Sequence, residues 1–213
     1  MNKSIADIRK DYMLHSLSEQ DVATDATDQF TKWWHDALNS EISEVNAMTL
    51  ATASAKGIPS ARIVLLKGYD DKGFVFFTNY NSDKGSDLNE NPNAALVFFW
   101  KELERQVRIS GRVERVSPSE SDTYFYSRPL QSRVGAWASN QSSVIPGREI
   151  LDENVKKIVT QFGPDVPRPP HWGGYRLEPS VMEFWQGRSS RLHDRILYTK
   201  TADGSWKIDR LSP

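Results

Sequence analysis

The residues with the most chemistry per position lie near the C-terminal end, in Glu183-Phe-Trp-Gln-Gly-Arg-Ser-Ser-Arg-Leu-His-Asp-Arg195. An apolar-aromatic run, Val181 to Trp185, leads into a turn-rich segment, Gln186 to Ser190. Arg191 to Tyr198 then reads as a strand, whose side chains alternate between faces. Arg191, His193 and Arg195 would share one face, and Leu192, Asp194 and Ile196 the other. Two guanidiniums flanking an imidazole repel one another unless an anionic or electron-rich group lies above them. The face is therefore a candidate binding surface, with a solvated strand face as the plainer alternative. On this alternation His193 and Asp194 point opposite ways and do not make a catalytic His–Asp pair. A second cluster is Tyr124, Arg128 and Ser132. The first two are four apart on a helix, and Pro129 interrupts that helix and begins another carrying Ser132. Hydroxyl, guanidinium and hydroxyl together make a phosphate cradle, or else an ordinary helix surface. Arg9 and Tyr12, three apart on a short helix expected over residues 4–14, can reach one ligand from one face. A loosely held terminal helix is the alternative there.

The elements that must position these groups follow from periodicity. Residues 28–43 suit an amphipathic helix capped by Asp28, with Phe30, Trp33, Trp34, Ala37, Leu38 and Ile42 on its apolar side. From Ala47 the period becomes that of strands: 47–53, 60–67, 73–79, 94–100 and 106–116, with a hairpin turn at Tyr69–Gly73. Within the last of these, Val107, Ile109 and Val113 face one way, and Gln106, Arg108 and Arg112 the other. A short helix over 84–91 stops at Pro92. Ser117-Pro118 starts another, with a cap, an early proline and then acidic residues. Trp137 to Ser142 is a small-polar stretch able to bring amides to a ligand. Residues 148–162 suit a helix with Ile150, Leu151, Val155, Ile158 and Val159 facing the core, and strands over 175–185, 191–200 and 206–211 complete the sheet. Close, hairpin-linked strands with few intervening helices favour a mainly β architecture, an antiparallel sheet curled into a barrel. No glycine-rich dinucleotide or phosphate loop is present.

The 213 residues carry no linker-like composition, so a single domain is expected, with residues 1–27 a mobile N-terminal segment. A net charge of −1 gives the whole chain no electrostatic case for nucleic acid. The absence of Cys removes disulfides, thiol nucleophiles and thiolate metal sites, and fits a reducing, cytoplasmic compartment. No membrane-length apolar run and no signal-peptide core are seen. The four histidines, His15, His35, His171 and His193, are scattered and show no metal-ligand spacing.

The sequence from Glu183 to Gln186, four residues, then Arg191 to Arg195 resembles the signature of the pyridoxamine/pyridoxine 5′-phosphate oxidases at every fixed position. The resemblance implies a split β-barrel that holds FMN at a homodimer interface. It also implies oxidation of pyridoxine or pyridoxamine 5′-phosphate by O2 to pyridoxal 5′-phosphate, with release of hydrogen peroxide. By the same resemblance, Arg62, Ile63, Val64, Leu65, Leu66 and Lys67 run along the flavin, with Arg62 near the FMN phosphate. Phe77, Thr78, Lys84, Gln106, Gln141, Ser142, Trp185 and Arg195 are the further FMN contacts. Lys67, Tyr124, Arg128 and Ser132 take the substrate phosphate. Arg191 and His193 embrace its ring as the catalytic pair, His193 acting as a base or an orienting group, while Arg9 and Tyr12 belong to a flap over the substrate. Strict alternation puts Arg62 and Lys67 on opposite faces, so a bulge or the strand's end must bring them together. Asp83 departs from the family, which commonly has Arg there. Either it points away and caps the following helix, or FMN binds more weakly. Another split-barrel flavoprotein, such as a flavin reductase, and a non-enzymatic pyridoxal-phosphate-binding protein remain alternatives.

Overall fold

The computed structural model describes residues 4–8 and 11–213. Arg9 lies outside the described residues. The described residues form nine strands, β1 (Ala47–Ala53), β2 (Pro59–Leu65), β3 (Gly68–Asp70), β4 (Gly73–Asn79), β5 (Asn93–Trp100), β6 (Arg105–Arg115), β7 (Trp172–Gln186), β8 (Asp194–Lys200) and β9 (Trp206–Arg210). Five α-helices accompany them: α1 (Ala26–Leu38), α2 (Asp83–Glu90), α3 (Pro118–Ser127), α4 (Leu130–Ala138) and α5 (Glu149–Phe162). Strand order is β2-β1-β5-β6-β7-β4-β3, with β8 on β7 and β9 on β8. The pairs β3–β4, β4–β7, β7–β8 and β8–β9 are antiparallel.

Contacts divide the chain into two compact units. One comprises the described residues of Met1–Thr49, Leu96–Ser110 and Pro179–Pro213; the other comprises Leu50–Ala95 and Gly111–Glu178. In the first unit α1 packs Phe30 against Phe98 (5.3 Å between ring centroids) and Trp33 edge-on against Phe184 (5.3 Å). Phe184 in turn meets Tyr198 of β8. These rings are almost wholly buried and make that unit's core. In the second unit Leu50, Phe74, Phe76, Phe125, Val134 and Leu177 are buried.

Several expected boundaries move for local reasons. Helix α1 begins earlier than expected, because Asp25, not Asp28, is the cap: its carboxylate accepts from the Thr27 and Asp28 amides at 2.7 and 3.2 Å. It ends at Leu38, where the Ser40 hydroxyl donates to the Ala37 carbonyl (2.7 Å). Leu38 is consequently exposed, not core. Among the described residues of the expected helix over 4–14, the helical part is a 3₁₀ turn, Ile5–Asp7. Ser117 caps α3 with Pro118 in the first turn, as expected. Helix α5 forms where expected but buries none of its residues, and Val159 is exposed. Its apolar positions are half-covered, so they do not make a core face.

Candidate functional site

Within the second unit a cavity of about 790 Å³ is lined by β2, β4, α2, α3, α4 and the segment following α4. It gathers Arg62, Ile63, Val64, Leu65, Lys67, Phe77, Thr78, Lys84, Tyr124, Arg128, Ser132, Gln141 and Ser142. Leu66 points elsewhere and is buried at 4% exposure. Strand β2 stops at Leu65, and the Lys67 amide donates to the Val75 carbonyl (2.8 Å). The strand's end therefore frees Lys67 from the alternation and puts it on the same cavity as Arg62.

Four cations line this cavity, Arg62, Lys67, Lys84 and Arg128, against one carboxylate, Asp83. The Arg62 guanidinium donates to Thr52 (2.7 Å) and Ser60 (2.5 Å) and stands 4.0 Å from Asp87. Lys84 is buried to 8% exposure, with its Nζ at 3.2 Å from Ser82 Oγ and 3.1 Å from Gln141 Oε1. Burial, then the Arg62 charge, lowers its pKa. A buried ammonium held by two neutral acceptors is one that an anion would relieve. Ser82 caps α2 through its hydroxyl, which accepts from the Gly85 amide (3.4 Å). The expected capping role of Asp83 is thus taken by Ser82. Asp83 instead occupies the first turn, where its negative charge suits the helix dipole. It is exposed but still lines the cavity, and its amide donates to Ser142 Oγ (3.3 Å).

At the Tyr124 end, Arg128 Nη1 is buried without a hydrogen-bond partner. Desolvation lowers the Arg128 pKa. An unsatisfied guanidinium nitrogen beside Lys67, Tyr124 and Ser132 forms a donor set that fits a phosphate. Arg62, Lys84, Gln141 and Ser142 line the same cavity. Trp172, also on the cavity wall, was not singled out from the sequence; a tryptophan placed just before Gly173-Gly174 at the start of β7 was the available signal.

The signature residues lie in the first unit. Arg191 and His193 are not on a strand: Ser189–Arg191 is a 3₁₀ turn, Ser190 and Arg191 have φ of 57° and 62°, and β8 starts only at Asp194. The expected alternating face therefore does not form. Trp185 instead packs at 4.6 Å from His193, and Tyr12 is edge-on to Trp185 at 5.7 Å. Gly187 makes this possible, since a Cβ there would meet Tyr12 at 2.7 Å. His193 Nδ1 accepts from the Arg188 amide (3.0 Å), which assigns the neutral ring's proton to Nε2. Burial, then the Arg191 charge, lowers the His193 pKa below its ordinary value. Asp194 binds the Leu17 amide (3.0 Å), Arg188 (3.0 Å) and Arg210 (2.9 Å). Burial pushes its carboxyl up, but these hydrogen bonds outweigh burial and hold it low.

Other signature positions prove to be fasteners. Glu183, 6% exposed, accepts from Arg195 Nε (2.8 Å) and Arg108 Nη1 (3.0 Å), and its bond raises the Arg195 pKa. Gln186 is fully buried, accepting from Arg105 (2.9 Å) and donating to the Leu103 and Glu104 carbonyls. Gln106 is half-buried on β6. Among the described residues, no helix is long and apolar enough to cross a membrane.

A mainly antiparallel sheet with flanking helices is the architecture of the split barrels of the FMN-binding type. The fold matches a pyridoxamine 5′-phosphate oxidase-related, FMN binding protein from Nostoc punctiforme (TM-score 0.71, 15% identity, 90% of this chain and 100% of that one). It also matches PhzG from Burkholderia lata in complex with tetrahydrophenazine-1-carboxylic acid (TM-score 0.86, 34% identity, 91% and 95% covered). Residues 34–162 match the family described as pyridoxamine 5′-phosphate oxidase, and residues 172–213 match its pyridoxine 5′-phosphate oxidase C-terminal dimerisation region. Proteins named pyridoxine/pyridoxamine 5′-phosphate oxidase from Trichormus variabilis (61% identity, all of both chains) and Cupriavidus pinatubonensis (60%, 98% of this chain and 99% of that one) are similar over full length. The chain belongs to the pyridoxamine 5′-phosphate oxidase family.

Proposed function

We propose that this protein is an FMN-dependent oxidase converting pyridoxine or pyridoxamine 5′-phosphate to pyridoxal 5′-phosphate. The observation that carries this reading is the cavity lined by Arg62, Lys67, Lys84 and Arg128, the last with a buried nitrogen that has no hydrogen-bond partner. Arg62, Lys84, Gln141 and Ser142 hold the FMN phosphate. Residues 62–67 with Phe77 and Thr78 line the flavin, and Gln106, Trp185 and Arg195 are its remaining contacts. Lys67, Tyr124, Arg128 and Ser132 clamp the substrate phosphate, and a fixed phosphate restricts the ring to few orientations. FMN held there would supply the two-electron acceptor for the substrate's C4′ carbon, with O2 as the final acceptor. The alcohol plus O2 gives the aldehyde and hydrogen peroxide; the amine plus O2 and water gives the aldehyde, ammonia and hydrogen peroxide.

Arg191 steers the pyridine ring and stabilises negative charge developing on it. His193 has its Nδ1 committed to the Arg188 amide, so its Nε2–H is an orienting donor. Tyr12 belongs to a flap over the substrate, the role expected of it together with Arg9. The family's dimerisation region supports a homodimer, and we place FMN at its interface and the enzyme in the cytoplasm. Turnover in air tests the function. Pyridoxine 5′-phosphate should yield pyridoxal 5′-phosphate and hydrogen peroxide in equal amounts, and pyridoxine without its phosphate should be a far poorer substrate. Absence of both products refutes it.

A further inference from the structure

We propose that Trp172 is a positioning residue of the substrate-phosphate clamp: its ring carries the Arg128 guanidinium and sets the plane in which that group meets a phosphate. This rests on the function proposed above and extends it to a residue outside the clamp itself.

Three rings from three elements lie nearly parallel. Trp172 of β7 is 13° from Phe77 of β4 (5.6 Å between centroids) and 13° from Tyr124 of α3 (6.1 Å). Phe77 and Tyr124 stack at 4.1 Å. The clamp's cations lie over these rings. Arg128 Cζ is 4.6 Å from the Trp172 centroid, and Lys67 Nζ is 5.9 Å from that of Tyr124. Both distances are within cation–π range, and tryptophan gives the strongest such attraction.

The choice of ring over carboxylate has a consequence for binding. A carboxylate would orient the guanidinium by occupying its fork and cancelling its charge, in competition with the incoming phosphate. A ring face orients the same plane while leaving the N–H groups and the charge available. Arg128 Nη1 is buried without a hydrogen-bond partner, and among the described residues no ion pair engages the guanidinium. Trp172 is itself fastened. It is 7% exposed, its carbonyl accepts from Arg168 Nη1 (2.7 Å), and Arg168 Nε binds Asp122 of α3 (2.6 Å). Gly174 leaves room for the stack, because a Cβ there would meet the Phe77 ring at 2.7 Å.

The test is binding of pyridoxal 5′-phosphate and of unphosphorylated pyridoxal to the FMN-loaded protein, by calorimetry, with melting temperature and FMN content as controls. Trp172→Met fills the space without a ring face. It should weaken pyridoxal 5′-phosphate about tenfold, equivalent to about 1.4 kcal/mol, and leave pyridoxal within about twofold. Trp172→Phe, with a smaller ring, should lose about threefold. In an Arg128→Lys background, which lacks the planar fork, either substitution should cost less than about twofold more. Unchanged phosphate binding in Trp172→Met, equal losses for both ligands, or additivity with Arg128→Lys would overturn the inference. If Trp172→Met does not fold, the Trp172→Phe and Arg128→Lys cycle decides by the same criterion. A wild-type protein that binds no pyridoxal 5′-phosphate would instead overturn the proposed function, and the inference with it.

Discussion

Replacing Arg128 by Met should move binding and stability in different directions. In the ligand-free protein the guanidinium has one buried nitrogen with no partner, and burial works against its charge. An unsatisfied buried donor costs about 1–3 kcal/mol. Its stacking on Trp172 returns about 1 kcal/mol. Met keeps the stem and much of the volume while removing the fork. The ligand-free protein should therefore be unchanged or more stable by about 1 kcal/mol, a rise of about 2–4 °C in melting temperature for a chain of this size. Binding loses charge-assisted hydrogen bonds, together worth about 2–3 kcal/mol. That corresponds to a KM for pyridoxine 5′-phosphate higher by about 30- to 150-fold. Thermal melts of the FMN-loaded protein without substrate, set beside steady-state kinetics, measure both quantities. A variant that melts more than about 5 °C lower while keeping its KM would refute the reasoning, because Arg128 would then be a structural residue.

His193 has its pKa lowered from 6.5 by burial, then by Arg191. Its neutral form therefore contributes stability that is present above about pH 6.5 and lost as pH falls through the lower folded value. Its imidazole resonance should titrate below 6.5, and Arg191→Met should move the midpoint up; a wild-type midpoint above 6.5 contradicts this. Glu183→Gln removes the charge that fixes Arg195 and, more weakly, the largely exposed Arg108. It should lower the melting temperature by a few degrees, from a loss of about 1–2 kcal/mol, and weaken FMN binding measured by flavin fluorescence; unchanged FMN affinity would mean Arg195 is not a cofactor contact. Gly174→Ala places a Cβ 2.6 Å from Val116 and 2.7 Å from Phe77. Overpacking of this kind costs about 1–3 kcal/mol, so a melting temperature equal to wild type would show that the ring stack can shift freely.

The parts of the molecule legible in the sequence are those set by local rules. Period-two strands from Ala47 onward fell close to their observed bounds, and Ser117-Pro118 opened α3 as its cap chemistry requires. The Tyr124, Arg128 and Ser132 cluster was readable from its residue types, and the cavity does gather all three; the helix carrying Tyr124 nevertheless ends at Ser127, so Arg128 reaches the cavity from extended backbone before Pro129 and not by helical spacing. Local rules failed where two signals competed. Asp25 and Asp28 are both capping residues three apart, and backbone geometry chose the first. Alternation through Arg191 and His193 assumed a strand, but the turn after Gln186 persists through two residues with positive φ. Long-range partners left no local trace. Glu104 binds the Met13 and Leu14 amides about ninety positions away, and Asp194 binds Leu17. Trp172 follows closely on Pro167, Pro169 and Pro170, and its place beside the clamp emerges only when β4 and α3 bring Phe77 and Tyr124 against it.

The central claim is that one cavity brings FMN and a phosphorylated vitamin B6 alcohol or amine together for oxidation. The most direct measurement is the visible spectrum of the FMN-loaded protein on adding pyridoxine 5′-phosphate without oxygen, followed by air. The protein should be yellow, bleach on addition and regain its colour in air with release of pyridoxal 5′-phosphate. A yellow protein that keeps its colour with the substrate bound would contradict it.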